Sequence, residues 1–525
     1  MTEKQVRLGE APPAKEASVF SVDGDFVSHP YIVPGKVDVR EFQTTLADAA
    51  LKQNTLVVMP TGLGKTIVAV LVIAERLRLK TGKVVLLAPT KPLCLQHEET
   101  MKRLLRDGDL VHAFTGEVAA AKRAELWKQS VVVVSTPQTV RNDLAEGRYD
   151  LRGVGLVVFD EAHRAVGDYA YVEVGERLRN ENPQARILAL TASPGATRER
   201  WNEVCKALGV ELVEARRTIS EDVAPYVQKV DPEVVMVQLP PVMRSLQQEF
   251  EAVLSEQEAK LRQMHAVQGE RKFGLTKREL VQLIQSRGRG KTPGPPNWAV
   301  MLVAQKALHA TICMEYIETQ GLVPLKMYLD RMFEKPDPSR AEKSFMTETR
   351  VAKIHERLAK GVEFSHPKVD VLLKLLHETL AKKADALVIV FAQFRDTVGD
   401  LAARLEAAGL KVGRLVGQQT RGKVTGLKQD EQVAVLRDFG ARKFNVLLST
   451  SVGEEGLDVP QVDMVVFYEA VPSEIRAVQR RGRTGRTVAG RVVVLVAQDT
   501  RDEAFLRAQT SKEEKMHRLI GRFSG

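Results

Sequence analysis

The stretch from Met59 to Thr66, MPTGLGKT, constrains the fold of this chain more than any other segment. It follows an apolar run ending in Val57 and Val58, and the pattern of residues 67–79 predicts a helix after it. A Gly-Lys-Thr turn between a strand and a helix points backbone N–H groups and a helix N-terminus at a phosphate chain. The usual phosphate-binding pattern has a glycine where Met59 stands, so the loop alone is an imperfect match.

Apolar runs alternating with helical patterns follow the loop, and they predict a parallel sheet covered on both faces. The predicted strands are residues 84–88, 131–135, 156–159 and 187–191. Because such a sheet binds ligands at the carboxyl ends of its strands, the polar residues that follow each strand are candidate site residues.

Asp160 and Glu161 follow one of these strands. An Asp in that position can bind Mg²⁺, and the next carboxylate can polarise the water that attacks a γ-phosphate. A carboxylate pair at a helix start is the competing interpretation, since acidic residues favour helix N-termini. The phosphate-binding loop earlier in the chain favours the catalytic interpretation.

Several other polar residues have two interpretations each. Thr191 and Ser193 place hydroxyls near the predicted Mg²⁺ site or cap a helix. Gln43, about twenty residues before the loop, can bind the adenine edge or simply start a helix. Hydroxyls and amides at the strand ends, at Thr90, Lys91 and Thr136, can bind the phosphates of a nucleic-acid backbone or form plain turns.

The pattern changes after about residue 220, where long helices with polar faces predict a module that projects from the sheet domain. The predicted helices are residues 243–266, 276–286, 299–319, 322–333, 340–360 and 369–382, with a possible strand at 234–239. The segment 287–296 is a basic loop rich in Gly and Pro.

A second α/β pattern ends the chain, with predicted strands at residues 386–391, 411–416, 446–449, 464–468 and 490–496. It contains QRRGRTGR at residues 479–486. Three interpretations of these guanidinium groups are open. They bind the phosphate backbone of a nucleic acid, they are solvent-exposed residues at the start of a helix, or they are arginine fingers that stabilise a phosphoryl-transfer transition state.

Charge, cysteine content and hydropathy support three further predictions, about the partner, the thiols and the cellular location. The net charge of +10 and pI near 9.3 suit a polyanionic partner, although many basic proteins bind none. Cys94, Cys205 and Cys313 lack metal-ligand spacing, so we expect buried thiols in a reducing compartment. The sequence has no secretory signal and no apolar run of the ~20 residues needed to cross a bilayer. It therefore predicts a cytoplasmic protein without a membrane span.

The ordered segments MPTGLGKT, APTKPL, TPQT, DEAH, TASP, STSVGEEGLDVP and QRRGRTGR resemble the superfamily 2 helicases across almost the whole chain. The helical insert between the two patterns, with its edges at residues 223–228 and 366–368, resembles the Hef/FANCM/Mph1 group of fork-remodelling DNA helicases. The resemblance implies an α/β fold with two RecA-like parallel-sheet lobes, ATP bound in the cleft between them, and a mainly helical insert. It divides the chain into a flexible leader (1–28), lobe 1 (29–220), the insert (221–362) and lobe 2 (363–525).

The resemblance also implies a role for each motif residue. The implied catalytic residues are Lys65, Glu161, Gln479, Arg483 and Arg486. ATP is bound by Gln43, Thr61, Gly62, Gly64, Lys65, Thr66 and Asp458, and Mg²⁺ by Thr66 and Asp160. The residues implied to couple the nucleotide state to DNA binding are His163, Thr191 and Ser193. DNA contacts are expected from Thr90, Lys91, Thr136, Gln393 and Thr450, and in the insert from Arg271, Lys272, Arg287 and Arg289.

The expected partner is forked or four-way-junction DNA, bound without sequence specificity by a monomer associated with the nucleoid, with a replication clamp as a further partner. The chain ends 39 residues after Arg486, so we expect no XPF-type nuclease. An RNA-directed ATPase of the RIG-I-like clan and a binding scaffold without catalysis are the alternatives.

Overall fold

Lobe 1 is built on an eight-stranded parallel sheet. The structure is a computed structural model that describes residues 7–8, 18–192, 195, 197–217, 220–226, 232–267, 274–288, 297–361, 365–417, 427–450, 462–470 and 490–521. The strands of this sheet are β1 (Arg7–Leu8), β4 (Thr55–Val58), β5 (Lys83–Leu87), β6 (Val111–Phe114), β7 (Val132–Ser135), β8 (Val154–Phe159), β9 (Arg186–Thr191) and β10 (Leu212–Ala215). Their order is β1-β10-β4-β9-β8-β5-β7-β6.

Helices cover both faces of this sheet, as the continuous apolar runs predict. They are α1 (Glu41–Lys52), α2 (Lys65–Arg78), α3 (Lys91–Leu104), α4 (Ala120–Gln129), α5 (Pro137–Ala145), α6 (Ala170–Glu181) and α7 (Arg198–Leu208). Val57 packs with α1, α2 and α3 in one apolar cluster, whereas Leu56 and Val58 pack with α5, α6 and α7 in another. Alternate residues of one strand therefore enter two separate cores.

The expectation of a flexible leader over residues 1–28 is wrong for residues 18–28. Strands β2 (Ser21–Asp23) and β3 (Phe26–Ser28) form an antiparallel hairpin. Phe20 and Val27 are buried in the α1–α2 core, and His29 Nε2 lies 3.1 Å from Glu75 Oε2 on α2. This segment belongs to lobe 1 because its apolar side chains complete that core.

Lobe 2 contains a six-stranded parallel sheet. Its strands are β11 (Glu233–Val237), β12 (Val388–Phe391), β13 (Val412–Leu415), β14 (Val446–Ser449), β15 (Met464–Phe467) and β16 (Arg491–Ala497), in the order β11-β16-β15-β12-β14-β13. Strand β11 falls within the range predicted for the insert, yet it pairs with β16 from Glu233–Val493 to Val237–Ala497. Lobe 2 thus gains its edge strand before the helical insert begins.

The insert is helical, with its own apolar core. Its helices are α8 (Pro241–Gln263), α9 (Lys277–Gly288), α10 (Asn297–Glu315), α11 (Leu322–Phe333), α12 (Arg340–Met346) and α13 (Thr349–Ala359). Two predicted helices differ: residues 299–319 end in a π-helical turn at Tyr316–Gln320, and residues 340–360 are two helices. Helix α12 starts at a capping box formed by Ser339 and Glu342, which fixes the chain direction there.

Lobe 2 is completed by α14 (Pro367–Lys382), α15 (Arg395–Ala407), α16 (Gln429–Gly440) and α17 (Arg501–Gly521). Among the helices in the described ranges, none has the length and apolar character needed to cross a membrane.

The three cysteines are buried without a disulfide, and burial raises the pKa of Cys94 and Cys205 to about 12.

A buried ion pair joins α14 to α17. Lys368 Nζ lies 2.5 Å from Asp502 Oδ2, and neither side chain is exposed to solvent. Asp502 also accepts hydrogen bonds from the backbone N–H groups of Ala470 at 2.9 Å and Ala497 at 3.0 Å. One carboxylate therefore fixes α14, Ala470 after β15 and the last residue of β16.

Replacing Asp502 by Ala is expected to lower the free energy of unfolding by about 3–5 kcal/mol, because the Lys368 charge would remain buried without a partner. Urea unfolding followed by circular dichroism measures the change. Asp337→Ala is the matched control, since that side chain is 99% exposed. Equal unfolding midpoints for the two variants would contradict this role of the ion pair.

Candidate nucleotide-binding site

The loop between β4 and α2 has the backbone shape of a phosphate cradle. The backbone φ angles of Gly62 and Gly64 are 87° and 82°, values that residues other than glycine rarely adopt. A Cβ at Gly64 would come within 2.5 Å of Gln43 Nε2. Helix α2 starts at Lys65 with Thr66 in its first turn, so its N-terminus faces the loop. Glycine is therefore required at Gly64 for its conformation, and a side chain there would also displace the Gln43 amide.

Two polar side chains brace this loop from within the protein. Lys65 Nζ donates to Met59 O at 3.2 Å. Gln43, on α1, is only 3% exposed, and its Nε2 donates to Leu63 O at 2.8 Å. Gln43 is thus bound to the phosphate loop itself, and its predicted contact with adenine stays a prediction.

Asp160 lies at the carboxyl end of β8 and is almost fully buried. His97 Nε2, on α3, lies 2.9 Å from Asp160 Oδ2. Burial alone would raise the pKa of the Asp160 carboxyl, but the hydrogen bond from His97 and the nearby charge of Lys65 bring this pKa below its ordinary value. The site therefore holds Asp160 as a carboxylate.

His97 and Tyr171 are site residues that sequence reasoning missed. Tyr171 Oη donates to Asp160 O at 2.6 Å and contacts Leu87 O at 3.1 Å, so it fixes the backbone at the ends of β8 and β5. His97 lies seven residues after Thr90, two helical turns along α3, and this spacing could have identified it. Tyr171 gives no such signal, because its place depends on how α6 packs over the sheet.

Glu161 combines an unfavourable backbone conformation with a buried carboxylate oxygen, two features that are common at functional sites. Its φ is 49°, an uncommon value outside glycine that costs backbone energy. Its Oε2 is buried without a hydrogen-bond partner among the described residues and lies 3.3 Å from His163 Nδ1. A buried carboxylate oxygen without a hydrogen-bond donor is uncommon in folded proteins and is typical of catalytic or ligand-binding positions.

A chain of contacts links this acidic pair to the phosphate loop. His163 Nδ1 lies 3.1 Å from Thr191 Oγ1, and both side chains are buried. The backbone N–H of Met59 donates to Thr191 O at 3.0 Å. The structure therefore brings His163 and Thr191 together at the first residue of the loop, whereas Ser193 lies outside the described residues.

The residues present fit a Mg²⁺-bound nucleoside triphosphate. The glycine cradle accepts phosphate, and a hydroxyl at Thr66 and the Asp160 carboxylate are the oxygen donors that Mg²⁺ prefers. In the part of the chain that the structure describes, no group of three or more His, Cys, Asp or Glu could hold a metal ion. Mg²⁺ usually keeps several water or phosphate oxygens beside one or two protein ligands, which agrees with this small donor set.

The predicted DNA-contacting residues of lobe 1 lie at strand ends. Thr90 and Thr136 are the N-caps of α3 and α5. Thr90 Oγ1 is buried with no hydrogen-bond partner in the described residues, and Thr136 Oγ1 lies 2.8 Å from Thr139 Oγ1. Lys91 is ion-paired with Glu117. Their contacts with DNA stay predictions.

In lobe 2, Gln393 is exposed two residues after β12, whereas Thr450 is 5% exposed and its N–H donates to Leu415 O. The structure therefore does not present the Thr450 side chain to solvent. The predicted residues Asp458, Gln479, Arg483 and Arg486, and Arg271, Lys272 and Arg289 of the insert, lie outside the described residues. The backbone of Arg287 belongs to the last turn of α9.

Comparison with known proteins agrees with this geometry. The DEAD/DEAH box helicase family model matches residues 40–201, and the helicase conserved C-terminal domain model matches residues 367–488. The helicase domain of Pyrococcus furiosus Hef is 39% identical, with a TM-score of 0.66 over 89% of this chain and 98% of that domain.

Two curated relatives extend the likeness. A Methanocaldococcus jannaschii protein named as an ATP-dependent RNA helicase is 37% identical over 94% of this chain, and the Neosartorya fischeri ATP-dependent DNA helicase mph1 is 32% identical over 92%. The chain spans 62% and 46% of the length of these two relatives. Two helicase family models in order, and a solved helicase domain matched almost end to end, establish the family. The chain belongs to the superfamily 2 helicases, within the Hef/FANCM/Mph1 group.

Proposed function

We propose that this chain is an ATP-dependent DNA helicase or translocase that remodels branched DNA, such as stalled forks and Holliday junctions, in repair and fork restart. The observation that carries the proposal is the edge of lobe 1, where Lys65, Asp160 and Glu161 lie beside the His163–Thr191 contact. The likeness to the Hef helicase domain and to mph1 supports DNA as the substrate.

The nucleotide is bound by residues of the cradle. The loop around Thr61, Gly62 and Gly64 holds the phosphates, and Lys65 leaves Met59 O to bind the terminal phosphates. Thr66 and Asp160 hold Mg²⁺, which when bound neutralises charge on the phosphates. By resemblance, Gln43 contacts adenine and Asp458 the ribose.

Hydrolysis requires residues from both lobes. Glu161 orients the attacking water and takes its proton. By resemblance, Arg483 and Arg486 stabilise the charge on the γ-phosphate, with Gln479 beside them. Lobe closure assembles this site, and hydrolysis releases it.

His163, Thr191 and Ser193 couple the nucleotide state to DNA binding. His163 contacts Thr191, and Thr191 O accepts the N–H of Met59 in the phosphate loop. Thr90, Lys91, Thr136 and Gln393 form a track that binds the phosphate backbone without recognising base sequence. By the same resemblance, the chain acts as a monomer in the nucleoid and contacts a replication clamp.

The alternatives differ in substrate or in catalysis. An RNA-directed ATPase has some support, since the Methanocaldococcus jannaschii and Arabidopsis thaliana relatives are named as RNA helicases. A scaffold without catalysis fits poorly with a buried, ionised Asp160 and an unbonded Glu161 oxygen. Activity measured with different nucleic acids separates these functions.

We expect ATP hydrolysis to be stimulated most by forked and four-way-junction DNA, less by linear duplex and single-stranded DNA, and least by RNA. The measurement is the steady-state ATPase rate with each nucleic acid, at matched nucleotide concentration and fixed salt. Stimulation by RNA alone would favour the RNA-directed alternative.

The Glu161→Gln and Lys65→Ala variants are the controls for this measurement. Both should lose ATP hydrolysis while retaining affinity for fork DNA, because neither side chain lies on the DNA track. ATPase near the unaltered rate in either variant would refute the assigned catalytic roles.

His97→Ala is expected to raise the Mg²⁺ concentration needed for half-maximal binding of a fluorescent ATP analogue by about 10-fold or more, since residues that orient a metal ligand have effects of this size. Binding is measured in a Mg²⁺ titration. His112→Ala is the matched control, because His112 lies on β6, the edge strand of the sheet, and contacts Ser130. Identical titrations for the two variants would show that His97 does not orient Asp160.

Neutralising Arg271, Lys272, Arg287 and Arg289 to Gln should weaken binding to forks more than to linear duplex. The slope of log affinity against log salt should fall by about 0.9 for each phosphate that the variant no longer neutralises. The control neutralises four exposed basic residues elsewhere in the insert: Lys343, Lys353, Arg357 and Lys360. Equal fork affinity in the two quadruple variants would assign the four predicted residues to solubility alone.

A further inference from the structure

The π-helical turn Tyr316–Gln320, between α10 and α11, is an unusual element of the insert. All five of its residues are buried, and three of them, Glu318, Thr319 and Gln320, are polar. Single π-helical turns within helices occur frequently at functional sites. A turn with three buried polar side chains must place each of them against a partner.

Gln320 bonds to lobe 2 through both ends of its amide. Its Oε1 accepts from Thr397 Oγ1 at 2.6 Å, and its Nε2 donates to Glu469 Oε2 at 3.2 Å. Thr397 lies in the first turn of α15, after β12, and Glu469 follows β15. The amide thus joins the insert to the carboxyl ends of two neighbouring strands of lobe 2.

Glu318 makes a third connection. Its Oε2 accepts from the backbone N–H of Arg501 at 2.8 Å, at the start of α17 after β16. Its Oε1 accepts from Gln247 Nε2 of α8 at 2.9 Å. Its carbonyl oxygen lies 3.1 Å from His366 Nε2 at the start of α14. Glu318 therefore ties the insert helix α8 to lobe 2 through one buried carboxylate.

Aromatic and ionic contacts surround these hydrogen bonds. The rings of Tyr316 and Phe394 are 4.9 Å apart, and Lys277 Nζ of α9 lies 5.7 Å from the centre of the Phe394 ring. Arg331 of α11 donates to Asp396 Oδ2 at 2.7 Å. Phe394 directly follows Gln393, the residue proposed to contact DNA. The insert is thus attached to the same strand ends that carry the lobe 2 motifs.

Separation of this junction would leave buried donors and acceptors unsatisfied, so the insert and the strand ends of lobe 2 move together. Glu469 also lies ten residues before Gln479, and the chain that follows it carries Arg483 and Arg486. A displacement of the insert therefore reaches Glu469, at the start of the chain segment that contains the proposed arginine fingers.

We infer that the Tyr316–Gln320 turn is the positioning element through which branched DNA on the insert increases the rate of ATP hydrolysis. This inference rests on the proposed function, since it assumes that the insert binds DNA. Its residues act through lobe 2 and touch neither ATP nor DNA. Gln320 and Thr397 are consequently positioning residues, and their loss should alter stimulation by forks without altering fork affinity.

Thr397→Val tests the inference, because it removes the hydroxyl that Gln320 binds while keeping the shape of the side chain. We expect the fork-stimulated kcat of ATP hydrolysis to fall by about 5-fold or more, the lower range of coupling between sites. The KM for ATP and the Kd for fork DNA should stay unchanged. Thr311→Val is the matched control: Thr311 is buried in α10 and donates to Ala307 O within its own helix.

Arg331→Gln is the second variant: the Arg331 side chain is 39% exposed, and the glutamine amide keeps a hydrogen-bond donor for Asp396 while removing the charge. It should reduce fork stimulation in the same direction as Thr397→Val. Full fork stimulation in both variants, equal to that of Thr311→Val, would overturn the inference. Absence of fork stimulation in the unaltered chain would instead contradict the proposed function, and this inference with it.

Discussion

The hydrogen bond from the Met59 N–H to Thr191 O, 3.0 Å long, is the constraint on which the nucleotide site depends. It fixes the first residue of the phosphate loop to the end of β9, the strand that lies beside β4. Because β9, β8 and β5 are also neighbours, their parallel direction places Thr191, Asp160 and the residues after β5 at the same edge. Residues more than 100 positions apart in sequence thereby reach one site.

Met59, which departs from the usual loop pattern, has a structural role. Its side chain is fully buried in the α1–α2 core, and its carbonyl oxygen accepts the Lys65 ammonium. Burial of a Met side chain contributes about 1.5–3 kcal/mol, which a glycine would forfeit. The departure therefore strengthens the attachment of the loop to lobe 1, while Gly62 and Gly64 provide the conformations that phosphate requires.

Sequence reasoning predicts the strands with continuous apolar runs, because burial on both faces leaves an unambiguous pattern. It does not assign β11 to lobe 2, since pairing with β16 depends on a strand more than 250 residues away. It misses the hairpin around Asp23-Gly24-Asp25, although a Gly between two short alternating runs is a known turn signal. Asp160 is predictable from its place after a strand, but Tyr171 and the burial of Thr450 arise from tertiary packing alone.

The polarity of the junction between the insert and lobe 2 carries a physical consequence of its own. An apolar junction would tolerate small rotations, because hydrophobic burial has no direction. The bonds of Glu318 and Gln320 have direction, and only one orientation of the insert satisfies Thr397, Glu469 and Arg501 at once. Such contacts contribute little net stability but specify geometry. An insert held in one orientation is suited to transmit a displacement, whereas a loosely packed insert would absorb it.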